Sequence, residues 1–143
     1  MTALALDVGD RRIGVAISDP TRLLARPLTV LARRSNVLDV STIRQLAEQH
    51  DAMTIVVGIP YAADDEVGPQ ARKTLVFARY LRKHLPIEVV TWDERLSTQD
   101  AERELIAQGA RRARRRELLD AAAAAVILGD WLASQPRPSG SSP

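Results

Sequence analysis

Leu4-Ala5-Leu6-Asp7-Val8-Gly9-Asp10-Arg11-Arg12-Ile13-Gly14-Val15-Ala16-Ile17-Ser18-Asp19 is the stretch that decides how this chain folds. An apolar run from Ala3 to Leu6 ends in an acid. A turn containing Gly9 and Asp10 follows, and a second apolar run extends from Ile13 to Ile17. Val, Ile and Leu suit a pleated, buried strand, and Gly with Asp tolerates the positive φ of a tight turn. The stretch therefore reads as a β-hairpin with Asp7 at the end of its first strand. The apolar pattern predicts another Val or Leu at position 7, so the carboxylate there requires a reason.

Downstream, Pro20-Thr21-Arg22 is a turn signal, and Arg26 to Leu31 alternates as a third strand with Pro27 near its start. Ser35 or Asn36 caps a helix in which Val37, Val40, Ile43, Leu46 and Ala47 recur at helical spacing, and His50-Asp51 closes it. Met53 to Pro60 is a β-branched run of the kind buried on both faces of a parallel sheet. After an acidic loop with Asp64, Asp65 and Glu66, Pro69 opens a second helix marked by Ala71, Leu75, Ala78 and Leu81. Ile87 to Trp92 forms a fifth strand that runs into Asp93-Glu94-Arg95.

Ser97-Thr98-Gln99-Asp100 has capping-box form and predicts a third helix that stops at Gly109. An arginine cluster follows, and then an alanine-rich helix from about Arg116 to Ala133 with Leu119, Ala122, Ala123, Val126 and Ile127 on its apolar stripe. The order β-β-β-α-β-α-β-α-α places the chain in the α/β class. It predicts a mixed five-stranded sheet, three antiparallel strands and then parallel ones, with helices on both faces. Residues 1–133 form one domain in this reading, and the Pro/Ser/Gly-rich tail 134–143 is expected to be disordered.

With 143 residues the chain is long enough to bury a core without covalent staples, and it has no cysteine for a disulfide or a thiolate zinc site. It opens without a basic n-region or cleavage pattern, and no apolar run approaches a bilayer span, so a soluble cytoplasmic protein is expected, with no membrane partner. The net charge is only +2, yet Arg111, Arg112, Arg114, Arg115 and Arg116 crowd into one short stretch. Such a cluster can neutralise phosphates on one face, or it can be a solvated loop; charge alone favours neither. Aromatic residues make up 3% of the chain, which argues against recognition of single strands by base stacking.

Asp7, Glu94 and Asp120 sit at element ends or on an otherwise apolar helix. With the first strand central, the ends of strands one and five converge, and a helix across that edge adds Asp120. Three clustered carboxylates raise one another's cost of ionising, a conflict that a divalent cation removes. All-oxygen ligands favour Mg²⁺ or Mn²⁺, and such a pairing suits phosphodiester hydrolysis. Each acid also has an ordinary reading: Asp7 beginning a turn, Glu94 or Asp93 entering a helix, Asp120 pairing with Arg116 four residues earlier. Arg12 likewise reads as an exposed hairpin charge. Spacing alone leaves these open. His50 and His84, the two histidines, read as surface residues near helix ends.

The hairpin from Leu6 to Ala16 resembles the opening signature of the YqgF/RuvX family of pre-16S rRNA nucleases and Holliday-junction-resolvase-like proteins. Three further stretches match in the same order: Ile55 to Pro60 with Gly68-Pro69-Gln70, Trp92 to Thr98, and Leu119 to Ala124. The resemblance implies an RNase H-like fold. It implies that Asp7, Glu94 and Asp120 are the catalytic, metal-binding acids, with Asp93 a neighbour of the site, and that Arg11, Arg12 and Arg95 contact nucleic acid. It also weights Arg111, Arg112, Arg114, Arg115 and Arg116 towards phosphate binding.

The implied activity is divalent-metal-dependent cleavage of phosphodiesters, as 5′-end processing of pre-16S rRNA, with the small-subunit precursor as partner. The alternatives are resolution of branched DNA, for which paired sites in a homodimer rather than a monomer are the usual requirement, and a non-catalytic RNA-binding assembly factor. Asp7-Val8-Gly9 before a hairpin also resembles the phosphate-binding turn of actin-like ATPases and sugar kinases, which close two such domains around a nucleotide. One departure is notable: Tyr61 to Glu66 stands where the family often has Leu-Asn and a Gly-containing turn.

Overall fold

The computed structural model describes residues 1–61, 67–96 and 112–136. Three strands, β1 (Thr2–Val8), β2 (Arg12–Ser18) and β3 (Ala25–Ala32), form the opening meander. They are followed by α1 (Asn36–Gln49), β4 (Ala52–Ile59), α2 (Pro69–His84), β5 (Glu88–Asp93), a 3₁₀ turn (Glu94–Leu96) and α3 (Arg112–Ser134). The sheet order is β3-β2-β1-β4-β5. β1 pairs antiparallel with β2, and β2 with β3, while β4 lies parallel to both β1 and β5. The mixed sheet expected from the element order is the one found, with β1 at its centre.

Side chains alternate along β1 by size as well as by face. Leu4, Leu6 and Val8 join Ile13, Val15, Ile55, Val57 and Ile59 in a core covered by α1 and α2 through Ile43, Phe77 and Leu81. Ala3 and Ala5 face the other way and pack with Ala16 and Val56 against Ala124, Ile127, Leu128 and Trp131 of α3. Each fully buried Leu or Ile of the first core contributes about 2 kcal/mol. The second face is lined by small residues, so the alanine-rich α3 lies close to the strands beneath it.

Local signals set the element ends. The Ser35 hydroxyl accepts the Leu38 N–H at 3.2 Å and caps α1. α1 ends at His50, and Asp51 takes the left-handed conformation, φ 53°, that lets the chain reverse into β4. α2 begins with Pro69 at its first position, where the missing N–H is no loss. α3 starts at Arg112, a turn earlier than the pattern predicts, so Arg112, Arg114, Arg115 and Arg116 belong to the helix and not to a loop before it. Arginine is a good helix former, and apolar periodicity cannot detect a helical turn without apolar residues. The helix expected between Ser97 and Gly109, Arg111, and nearly all of the tail, 137–143, lie outside the described residues.

Candidate active site

Asp7 continues the face of β1 that carries Ala3 and Ala5, so its carboxylate stands on the α3 side of the sheet, half-buried. Its cross-strand partner on β2 is Gly14. The β1–β4 pairing runs to Leu6–Val57, which makes Gly58 the next residue on the other flank. Asp7 therefore lies between two glycines, and both are sites of close approach. A Cβ on Gly14 would stand 1.9 Å from the Asp120 carbonyl oxygen. A Cβ on Gly58 would stand 2.8 Å from Glu94 Oε1 and 3.0 Å from Glu94 Cγ. Strands are spaced about 4.8 Å apart, so Asp120 and Glu94 rest on positions about 10 Å from each other with Asp7 in the middle.

The three predicted acids are thus delivered to one patch by β1, by the 3₁₀ turn after β5 and by α3. As they stand, no group of three or more His, Asp or Glu side chains among the described residues is drawn close enough to hold an ion. Asp120 is engaged by Arg12, whose Nε lies 3.1 Å from Asp120 Oδ2. That contact is an ion pair without hydrogen-bond alignment: Oδ2 is buried and accepts no hydrogen bond among the described residues. Asp120 therefore pairs across to β2 through Arg12.

By its chemistry, though not by the present spacing of the three acids, this donor set suits a divalent cation. The candidate donors are all carboxylate oxygens, and one of them, Asp120 Oδ2, is buried and accepts no hydrogen bond among the described residues.

Asp93, beside the site, is fully occupied. Its Oδ1 accepts the Arg95 backbone N–H at 2.9 Å, and its Oδ2 accepts Arg95 Nη2 at 2.6 Å. The Arg95 guanidinium also lies 5.5 Å from the centre of the Tyr61 ring, linking the end of β5 to the end of β4. The hydrogen bonds from the Arg95 side chain hold the Asp93 carboxyl below its ordinary value of 3.8, partly opposed by burial. Because the folded pKa lies below the unfolded one, this contact supports the fold above the ordinary aspartate range and is lost as pH falls through the lowered value. A carboxyl-detected NMR titration should place the Asp93 midpoint below 3.8, and Arg95→Gln should raise it.

Arg11 is exposed on the hairpin turn beside Arg12. That turn is held from the opposite face by a pair that sequence reasoning missed. The Arg33 N–H donates to the Arg11 carbonyl at 2.8 Å, and Arg33 Nη1 donates to the Gly9 carbonyl at 3.2 Å. Arg33 Nε is fixed by Asp39 Oδ2 at 3.0 Å, and Asp39 is only 2% exposed. Removing either partner would strand the other's charge in a largely dry setting. Arg33 and Asp39 stand six residues apart across a helix start, a spacing with no fixed geometry. Gly14 and Gly58, also missed, did carry a signal: a glycine inside a strand often marks close approach of another backbone or group.

Comparison with known proteins gives a consistent set of likenesses. A family model described as "RuvX: Holliday junction resolvase" matches residues 1–134. A Clostridium botulinum protein named "Putative pre-16S rRNA nuclease" is 39% identical over 134 residues, covering 94% of this chain and 98% of its own. A protein of the same name from Caldanaerobacter subterraneus subsp. tengcongensis is 43% identical over 137 residues, with the same coverage of 94% and 98%. Among solved structures, Thermus thermophilus RuvC superposes with a TM-score of 0.56 at 14% identity, covering 92% of this chain and 95% of that one. The fowlpox virus Holliday junction resolvase superposes at 0.54 with 15% identity, covering 94% and 100%. At these identities the likeness to solved structures is one of fold, the RNase H-like arrangement of the resolvases.

Proposed function

This chain belongs to the RuvX family, and on that footing we propose that it is a divalent-metal-dependent nuclease that processes the 5′ end of pre-16S rRNA. Asp7, Glu94 and Asp120 are its catalytic, metal-binding acids in this reading. The observation that carries it is the pair of glycines flanking Asp7, with Asp120 resting on one and Glu94 on the other. A structural core has no use for three acids converging on a glycine-lined patch; a cation site has.

Mg²⁺ or Mn²⁺ held by these acids would supply Lewis-acid activation of water and stabilisation of the departing oxygen. The chain's own groups do the rest. The acids must be deprotonated to act as ligands. Arg12, already beside Asp120, is placed to donate to a non-bridging phosphate oxygen and to offset charge developing there. Arg11 at the turn and Arg95 at the 3₁₀ turn extend the same edge. Arg111 and the α3 residues Arg112, Arg114, Arg115 and Arg116 add sequence-independent, salt-sensitive affinity for the backbone. Such a substrate puts the protein in the cytoplasm with the small-subunit precursor, and trimming one strand needs only a monomer.

The resolvase description of the family and the RuvC-like fold favour a second substrate, a four-way DNA junction, whose paired cuts would call for a homodimer. One assay addresses both. The purified protein is given a 5′-extended 16S precursor RNA and a four-way junction at matched salt, with EDTA, Mg²⁺ or Mn²⁺. Cleavage of the precursor in either metal, its loss in EDTA, and a weakening apparent metal affinity as pH falls towards the carboxylate range are the expected results. Cleavage that persists in EDTA would reject the metal site. Junction cutting without precursor cutting would transfer the proposal to the second substrate.

A further inference from the structure

On the other side of the β1–β2 turn from Asp7 lies a cavity of about 700 Å³, bounded by that turn, the start of α1 and the first two turns of α2. Its lining includes Gly9, Arg33, Arg34, Arg72, Lys73 and Phe77. Arg33 is held in place: Asp39 fixes its Nε, and its guanidinium carbon lies 4.7 Å from the centre of the Phe77 ring. Arg34, Arg72 and Lys73 are exposed.

The charges at the start of α2 run against the usual preference. The positive end of a helix favours acids, yet its first turn has none, and Arg72 and Lys73 stand within its first turns. The N-cap is Gly68, which offers no side-chain acceptor. The ion pair of Lys73 with Asp10 is 3.6 Å long, with both side chains about two-thirds exposed, so it is screened and weak. Cations gathered at a positive helix end repel one another and become favourable when an anion lies among them.

We propose that this groove is a phosphate-binding track for the strand that is cut at Asp7. The strand crosses the Gly9–Arg11 turn, and its backbone phosphates lie against Arg34, Arg72 and Lys73. The inference rests on the nuclease reading and extends it from the reacting phosphate to the flanking nucleotides. Asp7 stands on the α3 face of the sheet and the groove on the face covered by α1 and α2, so the turn is the edge that the strand crosses. Exposed Arg11 on the turn lies between the two positions.

The test measures binding of a fluorescein-labelled single-stranded 20-mer RNA by anisotropy, in EDTA and across a salt series. The variants are R72Q/K73Q and, as a charge-matched control on the same helix outside the groove, R79Q/K83Q. Loss of two phosphate contacts should lower the slope of log K against log salt by about 1.4 and weaken binding about tenfold at 0.1 M salt. With Mg²⁺ restored, KM for cleavage should rise in R72Q/K73Q. The control pair should match wild type in slope. An unchanged slope and Kd in R72Q/K73Q, or an equal loss in R79Q/K83Q, overturns the groove. A wild type that binds with the R72Q/K73Q-sensitive slope yet cuts nothing rejects the nuclease reading and supports the groove. A wild type that cuts, with slope and KM indifferent to R72Q/K73Q, rejects the groove alone.

Discussion

Asp7→Asn should lower kcat for phosphodiester cleavage at least about a thousandfold, equivalent to about 4 kcal/mol of transition-state stabilisation, while leaving the protein folded. Asn has nearly the same shape and keeps one oxygen, but it removes the negative charge that a hard cation requires. Asp7 sits on β1 at the centre of the sheet, flanked by glycines on both neighbouring strands. The substitution changes charge and not shape, so the fold is expected to survive it. Single-turnover cleavage and thermal unfolding check the two halves of the expectation. Substantial residual cleavage in a folded Asp7→Asn protein would remove Asp7 from the catalytic set.

Gly14→Ala should be the most damaging alanine substitution among the described glycines. The added Cβ would stand 1.9 Å from the Asp120 carbonyl oxygen and 2.4 Å from its carbonyl carbon. Both are backbone atoms, so no rotamer change relieves the overlap; α3 itself has to shift. A cost of about 3 kcal/mol follows for overpacking of this kind, which lowers Tm by about 10 °C in a domain of this size. Asp120 moves with the helix, so cleavage should fall even at temperatures where the variant remains folded. Thermal denaturation alongside cleavage at low temperature separates the two effects. Gly58 differs in kind, because a Cβ there meets the Ile127 Cδ1 atom and the Glu94 side chain, which can turn. A Gly14→Ala protein as stable and active as wild type would mean that α3 does not depend on this approach.

The element order was legible because each signal acts between near neighbours. Apolar runs marked β1, β2 and β4, Ser35 and Pro69 announced their helices, and the acid at position 7 broke its run visibly. The start of α3 was not, because its first turns carry arginines and no apolar period. The alternation of small and large residues along β1 was present in the sequence. Its meaning appears only once α3 is seen on the small face.

By itself, then, the sequence determined the class of fold, the family, and three acids that stand out against their surroundings. It could not determine what those acids touch. Asp120 takes Arg12 of β2, Glu94 lies over Gly58, and Arg33 grips the turn from beneath. Local periodicity encodes which face a residue presents, because backbone geometry repeats over a few residues. Contacts between residues 12 and 120, or 58 and 94, depend on how closely whole elements pack, and that distance is set by the summed size of side chains scattered along the chain.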